Sequence, residues 1–332
     1  MTGARHRLSF LLLAWIGSTD TAPSSSAVPL KGYQWTQVLP FGSGAFPERW
    51  TPGRVPLALK PVAGPDNRLW MVGGRGVWSS PDGIQWDRLQ TELPWGDRVG
   101  AVTVFFRGEL WTLGGEERSI RKNDVHHSPD GVQWSAAPAP PWSPRRWHAA
   151  AVYRDRLWVL GGLDSRSRND VWSTTDGVSW RQVSIRAPWT PRGGHAVVVW
   201  RQQLCVVGGG LGSQGMNDVW CSTDGKAWSR LTARADWTPR IFAGVAVIDD
   251  RLWVFGGSGI RSGGDGTWLN DVWVSRDGER WERQAEQAPW SPRAPEYCTV
   301  FRDKLWIFGG KGLEANGKGG FADDVWTLTK VP

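Results

Sequence analysis

Trp189-Thr-Pro-Arg192, Gly194-His-Ala-Val-Val-Val199, Leu204-Cys-Val-Val-Gly-Gly209, Asn217-Asp-Val-Trp220 and Ser222-Thr-Asp-Gly-Lys-Ala-Trp228 follow one another in a single stretch, and the same phrase returns six times along the chain. Self-similarity at a fixed period decides a fold before any single residue does. Three marks align the copies. Arginines stand at Arg54, Arg98, Arg145, Arg192, Arg240 and Arg293. Double glycines begin at Gly73, Gly114, Gly161, Gly208, Gly256 and Gly309. The acid of an Asp-Val-Trp or Asp-Val-His triplet stands at Asp124, Asp170, Asp218, Asp271 and Asp324, with Gly76 in its place in the first copy. From arginine to glycine is 16 residues in five copies and 19 in the first. From the third mark to a closing tryptophan (Trp86, Trp134, Trp180, Trp228, Trp281) is always 10.

Constant spacings mark rigid parts, and each copy reads as four strands. Strand a is small and apolar (Ala196-Val-Val-Val199); strand b is an apolar run such as Leu252-Trp-Val-Phe-Gly-Gly257, buried on both faces. Strand c is Asp271-Val-Trp-Val-Ser275, and strand d starts at the closing tryptophan. The Asp-Gly pairs between c and d (82–83, 130–131, 176–177, 224–225, 277–278) tolerate positive φ and suit tight hairpins. Four-stranded antiparallel units of 44 to 53 residues predict an all-β, six-bladed β-propeller. The blades are expected over 54–89, 98–137, 145–183, 192–231, 240–284 and 293–329. The last copy lacks a strand d, and Tyr33-Gln-Trp-Thr-Gln-Val38 has the pattern of one. This N-terminal strand is therefore expected to finish the last blade, residues 33–39, and close the ring, which removes exposed sheet edges.

The glycine pair ending an apolar strand, the Asn-Asp-Val-Trp strand and the Asp-Gly-x-x-Trp hairpin resemble bacterial Kelch repeats over about residues 33–332. The Ser-Thr-Asp-Gly-x-x-Trp turn is also similar to the Asp-box of sialidases, one residue short. The resemblance implies a closed propeller of the galactose oxidase central-domain type and leaves the ligand open.

Residues 1–27 read differently. Arg5-His-Arg7, an apolar run from Leu8 to Gly17 and a serine-rich segment have the layout of an export signal, ahead of a mature domain over 28–332. The expected location is secreted, periplasmic or cell-surface, with no membrane span in the mature chain. The 26 tryptophans recur at repeat positions and read as blade packing. The net charge is +7, and the arginines are dispersed, which argues against nucleic acid as a partner and for acidic ligands. A monomer is expected. Cys205 and Cys221 fall opposite one another if Gly208 pairs with Asp218, as two thiols or a disulfide; Cys298 has no evident partner.

In a four-stranded blade the d–a and b–c connections share one end. The six arginines are thus placed around one mouth of the central channel. There they either hold a carboxylate or sulfate, or stack on Trp-x-Pro-Arg and pair with the acid of strand c. Positions that differ between copies are more informative. Two residues past the arginine stand Trp147 and Phe242, apolar platforms for a sugar; three past stand His148, His195 and Glu296. The candidate binding residues are Arg54, Arg98, Arg145, Arg192, Arg240, Arg293, Trp147 and Phe242. The b–c connections of copies five and six, Ser258 to Leu269 and Lys311 to Ala322, read as long glycine-rich loops. No phosphate loop, HExxH or nucleophile elbow occurs, and neither a cofactor nor a metal is expected. The three tyrosines do not supply the copper site that a likeness to galactose oxidase would require. The primary expectation is a non-catalytic module that binds a carbohydrate or a protein. The alternatives are a sugar-acid enzyme resembling the six-bladed sialic-acid mutarotases, with Glu296, His148 or His195 as proton carriers, and a structural surface protein.

Overall fold

The computed structural model describes residues 32–40, 60–73, 76–212, 214–260, 266–295, 297–313 and 319–331; the expected export signal, Arg54 and Glu296 lie outside these. Six antiparallel sheets succeed one another. Blade one comprises Val62–Ala63, Leu69–Gly73, Gly76–Ser80 and Asp87–Gln90; blade two Val102–Phe106, Glu109–Glu117, Ile120–Ser128 and Ser135–Ala136. Blade three comprises Ala149–Tyr153, Arg156–Leu163, Ser167–Thr174 and Trp180–Ser184; blade four Ala196–Trp200, Gln203–Val207, Val219–Ser222 and Ser229–Thr232. Blade five comprises Gly244–Ile248, Arg251–Ile260, Gly266–Ser275 and Glu282–Ala285; blade six Cys298–Phe301, Lys304–Leu313, Gly319–Lys330 and, from the other end of the chain, Tyr33–Leu39. The innermost strands touch in cyclic order, and Val62–Ala63 meets Cys298–Phe301 to complete the circle. Closure follows the expected route: Tyr33 lies opposite Lys330 and Trp35 opposite Leu328. Tyr33 and Trp35 are buried edge-on to Trp253 and Trp290, at centroid distances of 4.8 and 6.0 Å.

The repeat phrase builds each blade by local chemistry. Asp224 Oδ1 accepts the N–H groups of Lys226 and Ala227 at 2.8 Å, fixing the c–d turn, and Gly225 leaves room there for Trp158 of the preceding blade. The strand-c asparagine ties the blade to its exit loop: Asn217 Nδ2 donates to the Ala235 and Trp237 carbonyls at 2.7 and 3.1 Å. Asn123, Asn169 and Asn270 repeat this bridge. Apolar side chains of adjacent sheets fill the gaps between blades. Cys205, Val207 and Val219 of blade four pack on Val245, Leu252 and Val254 of blade five. Trp142, Trp189, Trp237 and Trp290 are wholly buried, so these indoles are blade packing, as the repeat positions implied.

Two local outcomes refine the sequence reading. Cys205 faces Cys221 in register, at a Cα–Cα distance of 4.2 Å, and the sulfurs are joined in a disulfide. The b–c connections of blades five and six, expected as loops, are ladder extensions wherever they are described. After a register shift at the double glycine, Ser258 pairs with Trp268 in blade five and Lys311 with Phe321 in blade six. The left-handed glycines absorb the bulge and the strands resume pairing beyond it. Among the described residues no helix is long and apolar enough to cross a membrane.

Candidate functional site

The five described arginines of the repeat do not line the mouth: of the two readings that the spacing left open, the one within the blade, pairing with the strand-c acid, holds for them, and the arginine-lined mouth is corrected. Arg98, Arg145, Arg192, Arg240 and Arg293 are all buried inside their blades. Each guanidinium grips the strand-c acid with two bonds. Arg145 meets Asp170 at 2.7 and 2.8 Å, Arg192 meets Asp218 at 2.6 and 2.8 Å, Arg240 meets Asp271 at 2.7 and 2.8 Å, and Arg98 meets Asp124 at 2.5 and 2.6 Å. Arg293 holds Asp324 in the same way. Each Nη1 also donates to the carbonyl of the first glycine of the pair, as Arg192 does to Gly208 at 2.8 Å. The guanidinium carbons of Arg145, Arg192 and Arg240 lie 5.5–5.8 Å from the ring centroids of Trp142, Trp189 and Trp237. The constant 16-residue spacing thus exists to bring arginine, glycine carbonyl and acid together. Burial raises the Asp218 pKa, but the bonds and charge of Arg192 outweigh it and hold the carboxyl below its usual range. The strand-c indole closes the knot: Trp172, Trp220, Trp273 and Trp326 each donate to the same acid at 2.8 Å. In blade two His126 replaces that indole and lies 3.3 Å from Asp124, its ring tilted on Trp95.

At the same end of the channel is a cavity of about 260 Å³. Its wall is built from the positions that differ between copies. Gly100, Trp147, Gly194 and Phe242, each two residues past an arginine, are joined by backbone bonds across blades. Trp147 N donates to Gly100 O at 3.0 Å, Gly194 N to Trp147 O at 3.0 Å, and Phe242 N to Gly194 O at 2.8 Å. This collar holds all four residues at positive φ, 68°, 55°, 61° and 55° in turn. Glycine takes that conformation freely, whereas an aromatic residue there is strained by of the order of 1 kcal/mol or more. The aromatics alternate with the glycines for a steric reason. A Cβ on Gly100 would stand 2.7 Å from Trp147 Cδ1, and one on Gly194 would stand 2.7 Å from Phe242 Cε1. Each ring therefore lies over its neighbour's glycine, and the two rings meet edge-to-face at 5.3 Å. Arg146 also lies against Trp147, its guanidinium carbon 3.9 Å from the ring centroid, and is held by Glu116 at 2.6 Å. Small residues of the innermost strands, among them Ala149, Ala150 and Ala196, form the deeper wall.

His148 and His195 border this cavity but do not offer it a proton. Their ring nitrogens are buried. Burial first, then the nearby Arg145 and Arg192 respectively, brings each imidazole down from 6.5 to about 3; the Leu160 backbone and Asp218 pull His195 the other way without reversing this. Both rings are neutral at neutral pH. Among the described residues no group of three or more His, Cys, Asp or Glu side chains is placed to hold a metal. Two cations on the cavity, Lys60 and Lys311, were not singled out from sequence. Trp268, also on the wall, rises from the paired extension of blade five.

The solved structure of YjhT is similar to this chain with a TM-score of 0.68 and 16% identity, covering 83% of this chain and 95% of that one, a likeness of fold. No characterised protein matches the sequence significantly. The KLHDC2/KLHL20/DRC7 Kelch-repeats domain family matches residues 67–257 and 194–330, and with six such blades closed into a ring the chain belongs to the Kelch-repeat propellers.

Proposed function

We propose that this propeller is a non-catalytic recognition module, the general role of Kelch propellers, and that its binding site is the cavity at the mouth where Trp147 and Phe242 stand. One observation carries the reading. The backbone collar demands positive φ, glycine satisfies it in blades two and four, and the chain nevertheless places bulky aromatics there in blades three and five. Strain kept in place by surrounding structure concentrates at functional sites, and paired aromatic faces over small side chains suit the flat apolar side of a sugar ring or a partner side chain. The buried disulfide supports placing the protein in an oxidising compartment, which agrees with the export reading of residues 1–27.

The test is a thermal-shift screen of wild type, Trp147→Gly and Phe242→Gly against acidic sugars, neutral sugars and short acidic peptides. A ligand that binds only the folded state raises the melting temperature. The expected result is a shift with wild type that both variants lose, while the unliganded variants melt within about 2 °C of wild type, because relief of strain offsets the lost ring contact. A shift retained in full by both variants overturns the site.

A further inference from the structure

The mouth cavity is chemically two-sided. Trp147 and Phe242 lie over blades two to four. Lys60, at the entry to blade one, and Lys311, on the b–c hairpin of blade six, line the same cavity from the two blades that meet where the ring closes. Both lysines are exposed, and neither forms an ion pair with another described residue. That sets them apart from the arginine at the head of each described copy, whose charge is neutralised within the blade. No aspartate or glutamate is among the described residues that line the cavity. The aromatic pair and the two lysines thus reach the cavity from different blades, and small side chains of the innermost strands complete its lining. The volume of about 260 Å³ is sufficient for one ring and one substituent.

We infer that the cavity selects a ring-sized ligand bearing a single carboxylate, its apolar face against Trp147 and Phe242 and its carboxylate reaching Lys60 and Lys311. This rests on the mouth being the binding site and adds to it the ligand's charge and polarity. Exposed ammonium groups with no ion pair among the described residues favour a carboxylate over its neutral amide through charge-assisted hydrogen bonds, and the dispersed net charge of +7 contributes only a screened background.

Ligand-observed NMR on the full chain at about 0.15 M salt tests this with two matched pairs: indole-3-acetate against indole-3-acetamide, and glucuronate against glucose. The pairs distinguish an aromatic ring from a sugar ring as the apolar half. Wild type is expected to prefer the charged member of at least one pair by about tenfold. In Lys60→Met/Lys311→Met that preference falls to within about twofold while the neutral member binds as before. In Trp147→Gly both members are lost. Equal binding of charged and neutral members to wild type overturns this inference and leaves the mouth as the site. A preference that survives the double lysine substitution also overturns it. No binding of any of the four probes to wild type also overturns this inference, while the thermal-shift screen with peptides decides separately whether the mouth is the site.

Discussion

Replacing Asp218 with asparagine isolates the role of the repeated arginine. Arg192 is fully buried, and Asp218, with 16% of its side chain exposed, supplies both of its charge-assisted bonds and accepts the Trp220 indole as well. The asparagine keeps the shape and removes the charge, leaving a guanidinium with no counter-ion in the blade. Removing one member of a buried pair destabilises by about 3–5 kcal/mol. The same change at Asp124 is the internal control. Its side chain is 39% exposed, so solvent screens part of the loss, and a smaller effect of about 1–2 kcal/mol is expected. Urea unfolding followed by far-UV circular dichroism gives both values, and ligand binding at the mouth is measured on each folded variant. The account expects a large loss of stability for Asp218→Asn, a small one for Asp124→Asn, and unchanged binding in both. Equal losses in the two blades, or a stable Asp218→Asn protein that no longer binds, would refute the assignment of these arginines to the blades.

Acid sensitivity should carry a histidine signature. The folded His148 and His195 titrate near 3 and the unfolded chain near 6.5, so between those values the unfolded state holds more protons and stability falls as pH falls. Each contributes a slope of up to about 1.4 kcal/mol per pH unit across that window. His148→Ala/His195→Ala, which installs the residue found in blades two and five, should flatten melting temperature against pH between about 6.5 and 4; an unchanged slope would remove the histidines from the account. The Cys205–Cys221 bridge closes a loop with a sequence separation of 16 and should stabilise by about 3 kcal/mol, read as a lower urea midpoint with reductant. Because both cysteines are buried, dithiothreitol should leave it intact in the native protein. Trp35→Ala empties a packed position in the closing strand and should destabilise by about 3–5 kcal/mol; a loss under about 1 kcal/mol would mean that this strand does not hold the ring.

The architecture was legible because a propeller is spacing made visible. The constant interval from arginine to double glycine, the Asp-Gly turns and the strand-d pattern of residues 33–38 carry blade number, register and closure. The pairing of Cys205 with Cys221 follows from that register alone. The direction of the arginines was not legible. Spacing brings Arg192 near Gly208 and Asp218 but does not say whether the guanidinium turns into the blade or towards the channel; the carbonyl of Gly208 and the carboxylate of Asp218, both inside, decide it. Trp147 and Phe242 were found because they differ from glycine at one repeat position, but their strain is visible only in the backbone angles. Lys60 and Lys311 were missed because neither stands at a repeat mark: one lies within the irregular first copy and the other in a connection read as a loop, where ladder pairing fixes its place.

We propose that ligand sits in the mouth, in contact with the aromatic pair and within reach of the two lysines. A crystal structure with the tightest ligand from the binding screens tests it most directly. Density is expected in the cavity, in van der Waals contact with Trp147 or Phe242, with Arg192 and Arg240 still bound to Asp218 and Asp271. Ligand held by those arginines, at the opposite end of the channel or on the outer strands would contradict it.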